Sequence, residues 1–198
     1  MKSMILPVIL FVFIMAITPE PNNMLLTASG ARFGYKRTLT LILGMLSGML
    51  SRLILCAVGP VFLFEKIPLL HTVLKVIGTV YILYLAVRIT FSSLSKKEDS
   101  SSDKPLSLIH GIVLQYINPK AYIMSVTTVS VYSLKGALYI PSIFIIAVIY
   151  IIVTFSCISF WACFGSFLNS WMKDRKKERM IRYFLGCLTA ASVVFIIL

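Results

Sequence analysis

Ile17-Thr18-Pro19-Glu20-Pro21-Asn22-Asn23 interrupts an apolar run that otherwise extends from Met4 to about Ser29. Met4 to Thr18 alone is too short for a bilayer, which takes about 20 mostly apolar residues to cross. The run reaches that length only if the chain continues through the two prolines. A second interruption, Asn118-Pro119-Lys120, lies in the run from about Leu106 to Val131. Proline has no N–H and clashes with the preceding turn, so each break frees carbonyls from their helical partners. In lipid such groups are tolerated only inside protein or along a watery cavity. Reading Pro19, Pro21 and Pro119 as helix breaks within spans, rather than as loops, decides the fold class. It is all-α, a polytopic membrane protein whose first and fourth spans are broken near mid-membrane.

Composition points the same way. Of the 198 residues, 59% are hydrophobic and 13% charged, against about 45–50% and about 25% in soluble domains. That excludes an ordinary soluble fold, and low charge excludes disorder. Four Cys are too few for a disulfide scaffold. Further apolar runs cover about Leu39 to Phe64, Ile67 to Phe91, Ala137 to Phe164 and Tyr183 to Leu198, giving six expected spans in one transmembrane domain. The polar stretch from Ser92 to Pro105 divides it into halves of about 1–91 and 106–198. Lys2, an apolar core and the small residues Ala16 and Thr18 also resemble a signal peptide. Retention is the preferred reading, because the other spans need this one for packing.

The net charge of +12 reads as a topology signal rather than a nucleic-acid footprint. Loops one, three and five hold 13 of the 19 Lys and Arg, and the opposite side holds 4. By the positive-inside rule those three loops are cytoplasmic and both termini lie outside. Three spans plus three spans gives halves of opposite orientation, the layout of an inverted repeat. Pro19 lies 15 residues past Met4 and Pro119 lies 13 past Leu106, about 22 Å and about 20 Å along a helix. Entered from opposite faces, both breaks fall somewhat beyond the middle of a core ~30 Å thick. One such break reads as an incidental kink. Two at matched places, each with Asn and a charge beside it, point to a transporter site between spans one and four.

The motifs Thr18-Pro19-Glu20-Pro21-Asn22-Asn23, Ser29-Gly30-Ala31-Arg32-Phe33-Gly34, Gly44-Met45-Leu46-Ser47-Gly48 and Gln115-Tyr116-Ile117-Asn118-Pro119-Lys120-Ala121 together resemble the LysE/RhtB family of amino-acid exporters. The resemblance covers nearly the whole chain, and around Asn22-Asn23 and Leu114-Gln115 it looks closest to the cysteine/O-acetylserine branch. It implies export of a small amino acid or derivative, driven by the proton-motive force, across the cytoplasmic membrane of a prokaryote. Two departures stand out. The family pattern Pro-Gly-Pro-Asn has Glu20 in place of its glycine, and an acid common after the second glycine of span two is Met49 here. An acid has in effect changed helices.

Glu20, Arg52 and Lys120 are the charges expected deep in the membrane, where each costs about 2.5–3.5 kcal/mol unless paired or facing a cavity. An amino-acid-like substrate is a zwitterion. Glu20 suits its ammonium or a coupling proton, and Lys120 or Arg52 its carboxylate; a structural Glu20–Lys120 pair is an equal alternative. For Arg52, snorkelling toward an interface is the favoured reading. Asn22, Asn23, Gln115 and Asn118 add polar groups for freed carbonyls or substrate. Gly44 and Gly48 mark a close-packing face, inside the chain or in a homodimer.

Other signals are bland. Cys56, Cys157, Cys163 and Cys187 read as small core residues with no metal spacing. His71 and His110 flank helix ends. Tyr139, Trp171 and Tyr183 suit an aromatic belt. Lys173 to Arg182, ahead of the last span, suits contact with anionic membrane lipids. No phosphate-binding loop is present. No cofactor, enzyme activity or nucleic-acid partner is expected. The rival readings are a membrane thiol–electron shuttle and a membrane partner that conducts ions or does not transport.

Overall fold

The computed structural model describes residues 1–59, 105–171 and 174–191, with positions 76, 79–81, 83, 84, 86, 87, 90 and 91. These are almost wholly helical, with no strand among the described residues. The first expected span is two helices, α1 (Lys2–Ile17) and α2 (Pro21–Phe33), bent by 62° at the break. The residue before a proline is pushed out of the helical region, and Thr18 is extended at φ −60°, ψ 141°. Glu20 follows at φ −145°, ψ 165°. Pro21 then opens α2 at the first helical position, where a missing N–H costs nothing. Gly34, at φ 79°, turns the chain into α3 (Tyr35–Val58), a left-handed corner that suits glycine.

The second half repeats the pattern. Ser107 and His110 form a capping box at the start of α4 (Leu108–Ile117). Asn118 alone is extended, and Pro119 opens α5 (Pro119–Tyr132). A 3-10 turn at Gly136–Leu138 leads into α6 (Tyr139–Trp171), and α7 (Arg175–Ala191) follows. α6 has 33 residues, about 50 Å of helix.

Among the described residues, two stretches are long and apolar enough to cross a bilayer, Tyr35–Val58 and Gly136–Asn169, and the bent pair α1–α2 makes a third. The expected third span and the 92–104 loop fall largely outside the described residues. Several boundaries change: α2 runs to Phe33 rather than about Ser29, and α3 ends at Val58 rather than about Phe64. α3 starts at Tyr35 rather than Leu39, and α6 runs seven residues past Phe164. α7 begins at Arg175, so most of the basic stretch placed ahead of a span from Tyr183 is itself helical.

α2 is the central element. Its residues Pro21 to Ala31 are all buried, as in a helix surrounded on every side. By contrast α1 and α6 present Leu6, Leu10, Ile140, Phe144, Phe160 and Phe167 outward, a surface suited to lipid rather than water. Two crossings have no room for a side chain. A Cβ at Gly30 would be driven into the Ala162 carbonyl, and one at Gly165 into the Thr27 carbonyl, where α2 crosses α6. At the α3–α4 crossing, a Cβ on Gly44 would strike the Leu108 carbonyl and one on Gly48 would sit 2.9 Å from the Ile112 oxygen. The Gly44–Gly48 face is therefore filled from within the chain, not left for a homodimer. Each broken helix thus packs on the long helix of the other half. Cys56 and Cys157 are buried, but Cys163 and Cys187 are exposed, which corrects their reading as core residues.

Gly44→Val and Gly165→Val are each expected to lower stability in detergent by about 1–3 kcal/mol through overpacking. Thermal unfolding midpoints measure this, and unchanged midpoints would contradict the close crossings.

Candidate functional site

A helix broken by proline leaves specific carbonyls without donors, and each has a traceable partner. In α1, Pro19 cannot donate to the Met15 carbonyl, nor Pro21 to that of Ile17. Lys120 Nζ, from α5, donates to Met15 O at 3.0 Å, and Thr18 Oγ1 donates to the same oxygen at 3.0 Å. Trp161 Nε1, from α6, donates to Ile17 O at 3.2 Å. Asn23 Nδ2 reaches back to Ala16 O and Thr18 O, both at 2.9 Å. The end of α1 is completely capped by side chains, three of them from other helices.

The second break mirrors the first. Pro119 frees the Gln115 carbonyl, and Arg52 Nη1, from α3, donates to it at 2.5 Å. The same nitrogen donates to Gln115 Oε1 at 2.9 Å, and Nε donates to Ser125 Oγ at 3.1 Å. Asn118 Oδ1 accepts from Lys120 N at 3.1 Å and caps α5. A cation from the second half thus caps the broken helix of the first half, and a cation from the first half caps that of the second.

Arg52 is only 1% exposed, which overturns snorkelling. The break supplies acceptors at depth, so the guanidinium has no need to reach for an interface. Its charge also lies over the Tyr122 ring at 5.6 Å. Lys120 spends all three ammonium donors: Met15 O, Thr18 Oγ1 at 2.7 Å, and Glu20 Oε2 at 3.4 Å. Glu20 and Lys120, the residues immediately after the two break prolines, therefore meet.

Between the breaks lies a cavity of about 30 Å³, walled by Glu20, Asn22, Arg52, Gln115, Lys120 and Thr154 with four methionines, Met15, Met45, Met49 and Met124. Five of the seven polar candidates from the sequence line it; Asn23 and Asn118 stand behind it as caps. Positions 20 and 49, where the chain departs from the family pattern, share this cavity. Asn22 and Thr154 line it, and Asn22 Nδ2 and Thr154 Oγ1 are buried without a hydrogen-bond partner. Thr154, Ser125 and Trp161 escaped the sequence reading. Their only signal is a polar group in an apolar run, since the bonds of Ser125 and Trp161 span 73 and 144 residues of sequence and Thr154 makes none. His110 serves only the α4 cap, and no cluster of metal-binding side chains occurs among the described residues.

A helical bundle with apolar outer faces and a charged cavity at two broken helices is the architecture of a membrane transporter. The description "LysE type translocator" matches residues 13–197, and the chain belongs to that family. It is 34% identical over 125 residues to proteins named cysteine/O-acetylserine efflux protein from Shigella boydii serotype 4 (strain Sb227), Escherichia coli O1:K1 and Escherichia coli strain K12. The match covers 63% of this chain and 63% of each relative's length. No solved structure matches the chain.

Lys120→Met strands the Glu20 charge and takes a donor from Met15 O, so a loss of about 1–3 kcal/mol is expected. Adding Glu20→Gln should return only part of it, because Met15 O still lacks that donor. Full recovery in an unfolding assay would show that the ion pair, not the carbonyl cap, is what Lys120 supplies.

Proposed function

We propose that this protein is a secondary exporter of a small amino acid or amino-acid derivative. In this reading six spans form two three-span halves of opposite orientation, about 1–91 and 106–198, with both termini outside the cytoplasm. The halves rock about the cavity between the broken helices. The observation that carries the reading is that cavity: one acid and two cations line a small space beside the points where both helices lose their regular bonding. At about 30 Å³ it has room for water but not for an amino acid, so carriage requires the halves to part. Export as the direction, and the substrate class, follow the family and the names of the relatives.

The substrate's ammonium goes to Glu20, replacing Lys120 at its carboxylate. Its carboxylate goes to Arg52, which caps the second break through Nε and Nη1 and whose Nη2 has no partner among the described residues. Lys120 is already committed to three acceptors, so it acts as the switch that holds Glu20 when substrate is absent. Asn23, Gln115 and Asn118 hold the broken ends and the guanidinium in place. Glu20 is also the carrier of the coupling proton, as intramembrane acids are in other pumps. A thiol–electron shuttle is disfavoured because no cysteine lines the cavity.

Purified protein in liposomes loaded with cysteine, O-acetylserine, threonine, homoserine, leucine or lysine tests this. Counterflow of at least one of the smaller members is expected, and Glu20→Gln should reduce it on the order of a hundredfold, by loss of a charge-assisted contact worth about 1.5–3 kcal/mol together with proton coupling. Absence of exchange for every compound would refute the reading.

A further inference from the structure

The two unpartnered groups in the cavity have no part in the scheme above, which gives both charged ends of the substrate to charged side chains. Thr154 is the more telling. Thr27, Thr38, Thr90, Thr128 and Thr189 each fold the hydroxyl back onto the carbonyl four residues earlier, at 2.7–3.0 Å. That is the default for a buried helical threonine. Thr154 is 8% exposed, yet its hydroxyl bonds neither to its own helix nor to any other described group. Asn22, 3% exposed, likewise leaves its amide nitrogen unpaired. Both residues line the same cavity, Asn22 from α2 in the first half and Thr154 from α6 in the second. Leaving a buried donor without an acceptor costs about 1–3 kcal/mol, and two around one space amount to a demand for an acceptor placed between them.

We infer that Asn22 and Thr154 form the specificity element of the cavity, recognising a neutral hydrogen-bond acceptor on the side chain of the transported amino acid. The inference rests on the transport reading and adds what that reading leaves open, the part of the substrate that is selected. The acceptor is a hydroxyl, a thiol or an ester carbonyl. Its carbon stem lies against Met15, Met45, Met49 and Met124, whose flexible thioethers adapt to different lengths. The selection is thus for one polar atom rather than for one shape. Because the two groups belong to opposite halves, a substrate that bonds both also ties α2 to α6 while it is carried.

A site built to bond a polar atom rejects the analogue that lacks it, whereas an apolar site discriminates weakly. The test is competition against counterflow of whichever amino acid the wild type carries, using matched pairs: serine and 2-aminobutyrate, homoserine and norvaline, O-acetylserine and 2-amino-5-methylhexanoate. The wild type is expected to favour the acceptor-bearing member of a pair on the order of tenfold, the effect of one hydrogen bond of about 1.4 kcal/mol. Thr154→Val, which keeps the shape and removes the hydroxyl, should bring the preference within about twofold by weakening the acceptor-bearing members alone. Thr154→Ser should restore it. A wild type without preference, or a folded Thr154→Val protein that keeps it, overturns the inference and leaves the transport reading standing, since counterflow itself is then present. A wild type that exchanges nothing overturns both.

Discussion

Three prolines remove three backbone donors from two helices, and the structure depends on where the replacements come from. Met15 O, Ile17 O and Gln115 O are served by Lys120, Trp161 and Arg52, each from a different helix. An unserved carbonyl in an apolar interior is costly, so the breaks exist only while α3, α5 and α6 stay packed around them. Two of the three donors carry charge and cross between halves. The bonds that make the breaks tolerable are therefore also the bonds that tie one half to the other, and they surround the charged cavity.

This arrangement explains an otherwise expensive choice. A lysine and an arginine in an apolar helical bundle are costly unless their donors are satisfied. Here the proline breaks supply acceptors, and the cations supply what the prolines removed. The packing agrees: Gly30, Gly44, Gly48 and Gly165 bring helix backbones close enough for side chains from one element to reach the backbone of another. The family carries the wider frame, because a LysE type translocator spans nearly the whole chain.

The sequence made the breaks legible but not their partners. Pro19, Pro21 and Pro119 announce themselves through the chemistry of one residue, and the glycine exits at Gly34 and Gly136 do the same. Glu20 and Lys120 were visible as charges beside those prolines, and their ion pair was foreseen as one of two alternatives. Arg52 was misread because snorkelling is judged along a single helix, whereas its acceptors come from α4 and α5. Thr154 and Trp161 were silent for a related reason. One threonine or tryptophan in an apolar run looks like any other until the fold shows which groups lie opposite. Helix ends were legible only where proline or glycine fixed them. The start of α7 was missed because a run of Lys and Arg reads as loop by polarity while its propensity is helical.

If the space between the paired breaks is the path of the substrate, it must open to each side of the membrane in turn. The most direct measurement places a single cysteine on its wall, Met49→Cys, in a protein whose Cys56, Cys157, Cys163 and Cys187 are replaced by serine. Labelling with a membrane-impermeant thiol reagent is then followed from each side of sealed vesicles. Modification from both sides is expected, slowed by a transported amino acid. Labelling from neither side in a protein that still transports would place the path elsewhere and contradict that expectation.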